Sequence, residues 1–576
     1  MQPRKTEVED IQLNAKVADV LREISELYAI KQEYFKSRAY QKVSQRIESL
    51  TDDIEEVYES GKLQEIQGIG KGIAAVIGEY LSTGKSSRLK TLQAELPTGA
   101  LELIRLEGIG PKTALRLHKE LGITSIKQFE EALHSGKIAD LKGFGRKSEE
   151  RLLKVLKDQP HGKKRYLLGA ILPIIRETED YLMKFDSKIK VNMAGSARRM
   201  KETVGDIDIL VACKDSKGMA EHFVSMPQVH RIVSQGSSRS TIIIKGGLQI
   251  DLRIVKLSSF GSACQYFTGS KEHNIKLRSL AAQLGYKLNE YGLFKRKTGT
   301  RIAGKTETSI YQTLDLEYIE PELRENRGEI EGARSGSLPK LIKYGEVKGD
   351  LHVHSNWSDG AGSLEEIAEF AQKRGLEYIA ICDHSKALGI ARGLNEERLR
   401  KQMFEIEHLN RRFENFRLLR GIEVDIMSDG TLDLPNRILK DLDIVVASIH
   451  RGFKGSEEKL TKRIVSTVHN EHVNIIGHPS GRIIQRRPPY PLRFEEIFEI
   501  AADQKVAMEI NAFPDRLDLN DVNCKSAEEH GAKLAIGTDA HAPAQINYLE
   551  LGVAVARRGW LEPHDIINTK SFKDLL

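Results

Sequence analysis

The spacing of apolar positions changes twice along the chain. Over residues 1–155 apolar residues recur at intervals of three and four, with few alternating runs, which predicts a series of short helices. Between about 165 and 260 the pattern is mixed. A helical stretch at 166–185 precedes strand-like runs at 188–194, 207–212, 239–245 and 248–255. Residues 261–327 return to helices and short strands. The stretch 328–339, rich in glycine, serine and charge, reads as a linker. After 344, compact apolar runs alternate with helical patterns to the end. That alternation predicts parallel β/α units, closing into a barrel.

A chain of 576 residues exceeds what one hydrophobic core holds, so several domains are expected. The net charge of +6 is too small to identify a polyanionic partner, and local basic clusters matter more. No run of about 18 apolar residues occurs, so no membrane partner is expected. Met1-Gln2-Pro3-Arg4-Lys5 leads into polar helical sequence without a secretory apolar segment. Cys213, Cys264, Cys382 and Cys524 are far apart and form neither a zinc knuckle nor a disulfide framework. A reducing cytoplasmic location and a monomer are the expectations.

One motif recurs in the helical part: Gly68-Ile69-Gly70, Gly108-Ile109-Gly110 and Gly143-Phe144-Gly145, each followed by basic residues and an apolar-periodic helix. Glycine permits the turn, and the helix that follows offers free N–H groups and a positive dipole end to a phosphate. Lys71, Lys112, Arg146 and Lys147 add charge there. One such turn is merely a tight helix connection. Three with flanking bases point to sequence-independent binding of a nucleic-acid backbone. The pattern resembles the helix-hairpin-helix motif of DNA-repair proteins.

In Gly205-Asp206-Ile207-Asp208-Ile209-Leu210, Asp206 and Asp208 share one face of a strand, and Ile207 and Ile209 enter the core. Gln249-Ile250-Asp251-Leu252-Arg253 repeats the design, with Asp251 on the polar face and Arg253 beside it. Three carboxylates on neighbouring strands repel unless hard divalent cations lie between them. Two such ions can clamp the attacking and leaving oxygens of a phosphoryl transfer. The preceding turn, Gly195-Ser196-Ala197-Arg198-Arg199, can hold a phosphate by backbone N–H and hydroxyl, with Arg199 as a bidentate fork.

Together with Tyr266-Phe267-Thr268-Gly269-Ser270, Asn274 and Arg278, these motifs resemble DNA polymerase beta and its family X relatives. The resemblance covers residues 1–327 and implies a role for each matching position. Asp206 and Asp208 would bind both metals, Mg2+ or Mn2+. Asp251 would bind the catalytic metal and help activate the primer 3′-hydroxyl. Gly195, Ser196 and Arg199 would hold the triphosphate. Tyr266 and Phe267 would form the sugar pocket, and Gly269 would belong to the same nucleotide-binding segment. Asn274 would touch the incoming base, Arg278 the template side, and Arg253 would orient the aspartates. One position departs from the family: the Schiff-base lysine that follows the first hairpin is replaced by Val76, and an imine needs an amine.

The C-terminal part carries a different chemistry. His352 and His354 are followed by Asp359; runs at 378–382, 418–422, 444–449, 473–477 and 534–538 lead to His384, Glu423, His450, His478, Asp539 and His541. Functional groups at the C-terminal ends of parallel strands are the design of a β/α-barrel site. Imidazole with carboxylate suits Zn2+, Mn2+ or Fe2+, and nine ligands fit three ions with Glu423 bridging. The series resembles the polymerase-and-histidinol-phosphatase (PHP) domain, a distorted seven-stranded barrel.

The expected organisation is a helical DNA-binding domain (1–90), fingers (91–160), a nucleotidyltransferase palm (161–260), a thumb (261–327), a linker (328–345) and a PHP phosphoesterase (346–576). The expected enzyme is a DNA-directed DNA polymerase acting on gapped or nicked DNA and dNTPs in base excision repair. Its barrel would be a 3′–5′ exonuclease, a 3′-phosphatase or both. The alternative is a DNA-anchored phosphoesterase whose polymerase half mainly binds DNA. If the hairpins hold phosphates, affinity for gapped DNA should fall steeply and linearly with salt on logarithmic axes. Replacing Lys71 should reduce the slope by about one. A flat salt dependence would show that the hairpins are only structural turns.

Overall fold

The computed structural model describes residues 7–31, 33–48, 54–66, 68–94, 111–138, 141 and 165–575. The chain forms two compact units, one of Met1–Gly162 with Gln485–Pro488, the other of Lys163–Ile484 and Pro489–Leu576.

The first unit is helical, as its pattern predicts. Helix Glu7–Ile30 is longer than the short helices expected, at 24 residues, because no glycine or proline interrupts it. It packs along Tyr34–Glu48 around Leu21, Ile24, Tyr28, Val43 and Ile47. Two polar ties cross this core: Ser25 Oγ donates to the Ser37 carbonyl at 2.7 Å, and Arg88 Nε donates to the Tyr28 hydroxyl at 2.7 Å. In the first hairpin Gly68 has φ +95°, and a Cβ there would lie 3.1 Å from the Arg46 guanidinium. Helix Lys71–Thr83 follows, burying Ile73, Val76 and Ile77, and ends at Gly84 in the left-handed region. The second hairpin (Gly108, Gly110), the third (Gly143, Gly145), Lys147 and the Lys112 side chain lie outside the described residues. Helix Pro111–Leu121 begins immediately after the second hairpin, with proline in its first turn.

The second unit begins with a five-stranded sheet, in the order Lys190–Met193, Ile207–Ala212, Gln249–Val255, Arg239–Ile244, Val229–Ser234. The second and third strands are parallel and the other pairs antiparallel. Helices Leu168–Met183 and Ser216–Val224 pack on it through Ile171, Ile175, Met219 and Phe223. The edge strand Val229–Ser234 escapes the sequence pattern because five of its six positions are exposed, so no alternation marks it.

Helices Phe260–Thr268 and Lys271–Gln283 lead to a three-stranded antiparallel sheet (Tyr286–Asn289, Gly292–Lys295, Arg301–Ala303) and to helix Glu307–Thr313. The stretch expected as a linker is instead part of this core. Helix Glu329–Ser335 runs between Gly328 and Gly336, both at positive φ, and buries Ile330 and Ala333. Glu329 accepts from the backbone N–H of Asn326 at 2.9 Å and of Arg327 at 2.7 Å, and meets His273 Nδ1 at 2.7 Å. The glycines terminate a helix here.

The remaining chain forms a seven-stranded parallel sheet: Gly349–Val353, Tyr378–Ile381, Arg417–Asp425, Ile444–Ser448, Ile475–Ile476, Ala507–Asn511 and Leu534–Gly537. It curls into a nearly closed barrel. First and last strands meet just past their ends, where Asp539 N–H donates to the His352 carbonyl and His354 N–H to the Ala540 carbonyl, both at 2.8 Å. Every residue of the first, second, fourth, sixth and seventh strands is buried, and the second, fourth and seventh accordingly read as apolar runs. The sheet and the barrel share one apolar core. Gly169 leaves the space that Pro514 and Leu551 fill; a Cβ there would lie 2.8 Å from the proline.

Val76 is buried in the core of the first unit, so the helix after the first hairpin presents no amine at that position. Borohydride treatment of the full chain with a 5′-deoxyribose-phosphate end should give little or no covalent adduct. Efficient trapping that is lost on Lys71→Ala would show that the hairpin lysine supplies the amine.

Candidate active sites

The parallel pairing of Ile207–Ala212 with Gln249–Val255 sets Asp208 directly beside Asp251. Asp206 immediately precedes the first of these strands, and Ile207 and Ile209 are fully buried, as the alternation requires. Asp251 is held by Thr241 Oγ1 at 2.5 Å, Gln249 Nε2 at 2.7 Å and Arg239 Nη2 at 3.2 Å, all donating to its carboxylate. Burial pushes this carboxyl up, but those bonds outweigh it and keep it below the usual range, ionised and oriented. Thr241 and Arg239 were not legible as partners, because they become adjacent only through the sheet; Gln249 shares the strand and face of Asp251. Gly195, at φ +61°, passes so close to Asp208 that a Cβ would lie 2.6 Å from Oδ2. The turn Gly195–Arg198, with Ser196, therefore abuts the aspartates.

Tyr266 and Phe267 pack edge to face at 5.2 Å, and the Arg253 guanidinium lies 4.5 Å over the Phe267 ring. Asn274 Nδ2 donates to the Tyr266 carbonyl at 2.7 Å, tying the two helices that flank Gly269 and Ser270. Arg278 lines a surface pocket with Ile275, Tyr286 and Arg296. Arg199 is already engaged: Nε meets Glu325 Oε1 at 3.0 Å and Nη1 donates to the Thr268 carbonyl at 2.5 Å. Its neighbour Arg198 forms a fork with Glu307, at 2.6 and 3.0 Å, and Glu307 also accepts from the fully buried Arg324 at 2.6 Å. Burial raises the Glu307 carboxyl, yet the two guanidiniums bring it down to about 2.

In the barrel all nine expected residues converge. Glu423 Oε1 lies 2.9 Å from His478 Nε2, 3.2 Å from His450 Nε2 and 3.6 Å from His352 Nε2. Its Oε2 lies 2.6 Å from His384 Nδ1 and 3.8 Å from His354 Nε2. Asp539 Oδ1 lies 3.0 Å from His354 Nε2 and 3.7 Å from His541 Nδ1. Asp359 Oδ1 lies 3.6 Å from His541 Nε2 and 3.7 Å from His384 Nε2. Three overlapping sets emerge, with ligand atoms mutually within 4.8 Å: His354, Asp359, His384 and His541; His352, His354 and Asp539; His384, Glu423 and His450. His478 joins them through Glu423.

Residues that sequence reasoning missed hold the imidazoles. Glu509 Oε1 lies 2.6 Å from His352 Nδ1, and Asp425 Oδ1 faces His450 Nδ1 at 3.2 Å. Such outer carboxylates turn Nε2 toward the centre. Glu509 lies mid-strand in an apolar run, and that isolated acid was the only signal. Gly537 makes room for this pair; a Cβ there would lie 2.6 Å from both Glu509 Oε1 and His352 Cβ. His478 and Asp539 adopt positive φ, +27° and +54°, a conformation costing about 1–3 kcal/mol that the packed surroundings sustain.

The donor set fits divalent cations. His354 Nδ1 is buried without a hydrogen-bond partner, His384 Nδ1 and Glu423 Oε2 lie 2.6 Å apart out of hydrogen-bond alignment, and His352 and His354 turn Nε2 atoms toward each other at 3.2 Å. Burial pushes His450 down, but Glu423 and Asp425 bring it up to about 9; burial with His541 and His384 pushes His354 down to about 3. Neighbouring imidazoles hold Glu423 and Asp539 well below the carboxylate range despite burial. The cluster therefore attracts positive charge between its acids.

A palm with paired aspartates, a thumb and a multi-ligand barrel define a polymerase-beta-like core joined to a PHP barrel. Residues 173–278 match the DNA polymerase beta palm, 263–325 the polymerase beta thumb and 350–513 the PHP domain. Residues 12–86 match a helix-hairpin-helix domain, and 100–158 a SAM-like helix-hairpin-helix tandem. The chain is 40% identical over 543 residues, 94% of each chain, to DNA polymerase/3′-5′ exonuclease PolX of Bacillus subtilis (strain 168). It belongs to the family X DNA polymerases that carry a C-terminal PHP domain. Over 231 residues, 38% of this chain and 89% of the relative, it is 34% identical to a probable phosphatase of Thermoanaerobacter sp. (strain X514). Among the described residues no helix is long and apolar enough to cross a membrane.

Glu307→Gln should destabilise the chain by on the order of 3 kcal/mol, since it leaves two buried guanidiniums without a counter-charge. Its folded pKa is depressed, so the stabilisation is full above about pH 4.5 and is lost as pH falls toward about 2. Urea unfolding of the wild type and the variant at pH 7 and pH 3 should show the difference narrowing in acid. An equal difference at both would place the effect elsewhere.

Proposed function

We propose that this chain is a family X DNA-directed DNA polymerase that fills short gaps during repair, and that its barrel trims or dephosphorylates the DNA 3′ end. The observation that carries this reading is the coexistence of two acid constellations, Asp208 registered beside Asp251 and nine converging ligands with Glu423 among them. A module that only bound DNA would have no use for clustered carboxylates. The resemblance to a probable phosphatase over the barrel favours 3′-phosphate removal beside exonuclease cleavage.

In this reading Asp206, Asp208 and Asp251 hold Mg2+ or Mn2+. Thr241, Gln249 and Arg239 keep Asp251 ionised and aimed. Ser196 and the backbone after Gly195 receive the triphosphate, and Arg199 turns to it from Glu325. Tyr266 and Phe267 form the sugar pocket, Asn274 faces the base and Arg278 the template. The hairpin glycines with Lys71, Lys112 and Lys147 take the DNA backbone. In the barrel His352, His354, Asp359, His384, Glu423, His450, His478, Asp539 and His541 hold three ions, Mn2+, Zn2+ or Fe2+. Bound ions there supply Lewis-acid polarisation of a phosphate ester and ease ionisation of water. Glu509 and Asp425 fix the imidazoles that receive them. The chain works as a monomer in the cytoplasm, a compartment suited to the buried thiols of Cys264, Cys382 and Cys524.

Asp208→Ala or Asp251→Ala should lower nucleotide addition on a one-nucleotide gap by about three orders of magnitude while sparing 3′ trimming. His352→Ala or His478→Ala should do the reverse. After chelation, manganese should restore trimming better than magnesium, because imidazole favours the softer ion. Near-normal synthesis by Asp251→Ala, or wild-type trimming by the double histidine variant, would overturn the corresponding assignment.

A further inference from the structure

Glu325 is shared between the two halves of the second unit. Its side chain is 12% exposed, and its Oε1 is met by Arg199 Nε at 3.0 Å, by Arg558 Nη1 at 3.0 Å and by Lys201 Nζ at 3.9 Å. Arg558 lies on the barrel's helix Leu549–Arg558 and is only 4% exposed. The same Nη1 donates to the backbone carbonyl of Arg199 at 2.7 Å, and Nη2 donates to Asp521 at 2.6 Å. Asp521 in turn meets Arg327 at 3.0 Å. Of these groups only Arg199 and Lys201 lie on the turn that follows the palm's first strand. The barrel thus grips both the main chain of Arg199 and the carboxylate that pairs with its side chain.

We propose that Arg558 is a positioning residue for nucleotide addition, holding Glu325 compensated so that Arg199 can leave it for the incoming triphosphate. This rests on the reading that Arg199 takes the triphosphate. The physical argument is one of exchange. In the nucleotide-free arrangement Arg199 neutralises Glu325. When Arg199 swings to a phosphate, a buried carboxylate loses a charge-assisted bond, and stranding it is costly. Arg558 already touches the same oxygen, so the carboxylate keeps a guanidinium throughout. The bond from Arg558 to the Arg199 carbonyl meanwhile fixes the main chain about which the side chain turns. Burial alone would push the Glu325 carboxyl up, and Arg199, Arg558 and Lys201 together hold it below the usual range, so it stays charged and needs them.

The test is steady-state gap filling by the full-length protein, with KM for the dNTP separated from kcat. Arg558→Met removes the alternative partner and should raise KM about tenfold, the size of one charge-assisted bond, with kcat little changed. 3′ trimming and bound metal should stay at wild-type levels. Arg558→Lys should restore much of the loss. Glu325→Gln removes the competition for Arg199 and should lower KM in an otherwise native chain. In the double variant it should cancel the Arg558→Met defect, a rescue that a merely structural arginine would not show. Should Arg558→Met fail to fold, the single Glu325→Gln and Arg558→Lys variants still decide. Unchanged KM in Arg558→Met, or no fall in KM with Glu325→Gln, overturns the inference while leaving the polymerase reading intact. An Arg199→Ala variant with wild-type KM overturns the triphosphate role of Arg199, and this inference with it.

Discussion

Glu423 sits on the third barrel strand, fully buried, and its two oxygens face five imidazoles contributed by four different strand ends. A carboxylate removed from water in this way is tolerable only with positive charge around it. The layout of the barrel mouth follows from that demand. Histidines end the first, second, fourth and fifth strands or follow them directly, outer acids such as Glu509 and Asp425 back some of them, and Asp539 closes the ring from the last strand. The positive φ of His478 and Asp539 falls at the same strand ends.

The palm answers the same problem on a smaller scale. Asp208 and Asp251 are brought side by side by parallel pairing, the sheet surrounds Asp251 with donors, and the turn at Gly195 closes on Asp208. Farther in, Glu307 is buried between Arg198 and Arg324. The hinge between palm and thumb is thus an ion cluster with directional bonds on both flanks, and the helix carrying Tyr266 and Phe267 is oriented by it through Thr268, which also accepts from Arg198 at 2.6 Å. Charge compensation in this molecule sets geometry more than it adds stability.

Much of this was legible in the sequence, and the failures have a common physical origin. Asp206 and Asp208 could be read because a strand repeats every two residues, and the barrel ligands because they follow apolar runs. Glu509 and Asp425 could not, since an acid inside a strand carries no sign of which neighbour it faces. The donors Thr241 and Arg239 to Asp251 depend on strand order, which spacing does not encode. Glu325 lies far along the chain from Arg199 and meets it only once the thumb has folded. The stretch at 328–339 was misread because glycine serves a helix terminus and a flexible spacer equally well, and the deciding residues, Ile330 and Ala333, are too few to show a period. The second and third hairpins lie outside the described residues, and their reading rests on the sequence and on the matching helix-hairpin-helix tandem.

The seam between palm and barrel bears on how such a protein can be inherited. The Thermoanaerobacter relative matches 231 residues of this chain over 89% of its own length, so a part of this size is transferable in principle. Here its outer surface has become specific to its neighbour. Leu551 and Pro514 fill the space left by Gly169, and Arg557 reaches Glu322 at 2.7 Å in a fully enclosed pair. Recombination that exchanged this barrel for one lacking those side chains would leave Glu322 enclosed without a counter-charge and a void against the palm helix. The two parts are therefore bound to drift together, and chimeras should succeed only when the crossover carries the whole seam.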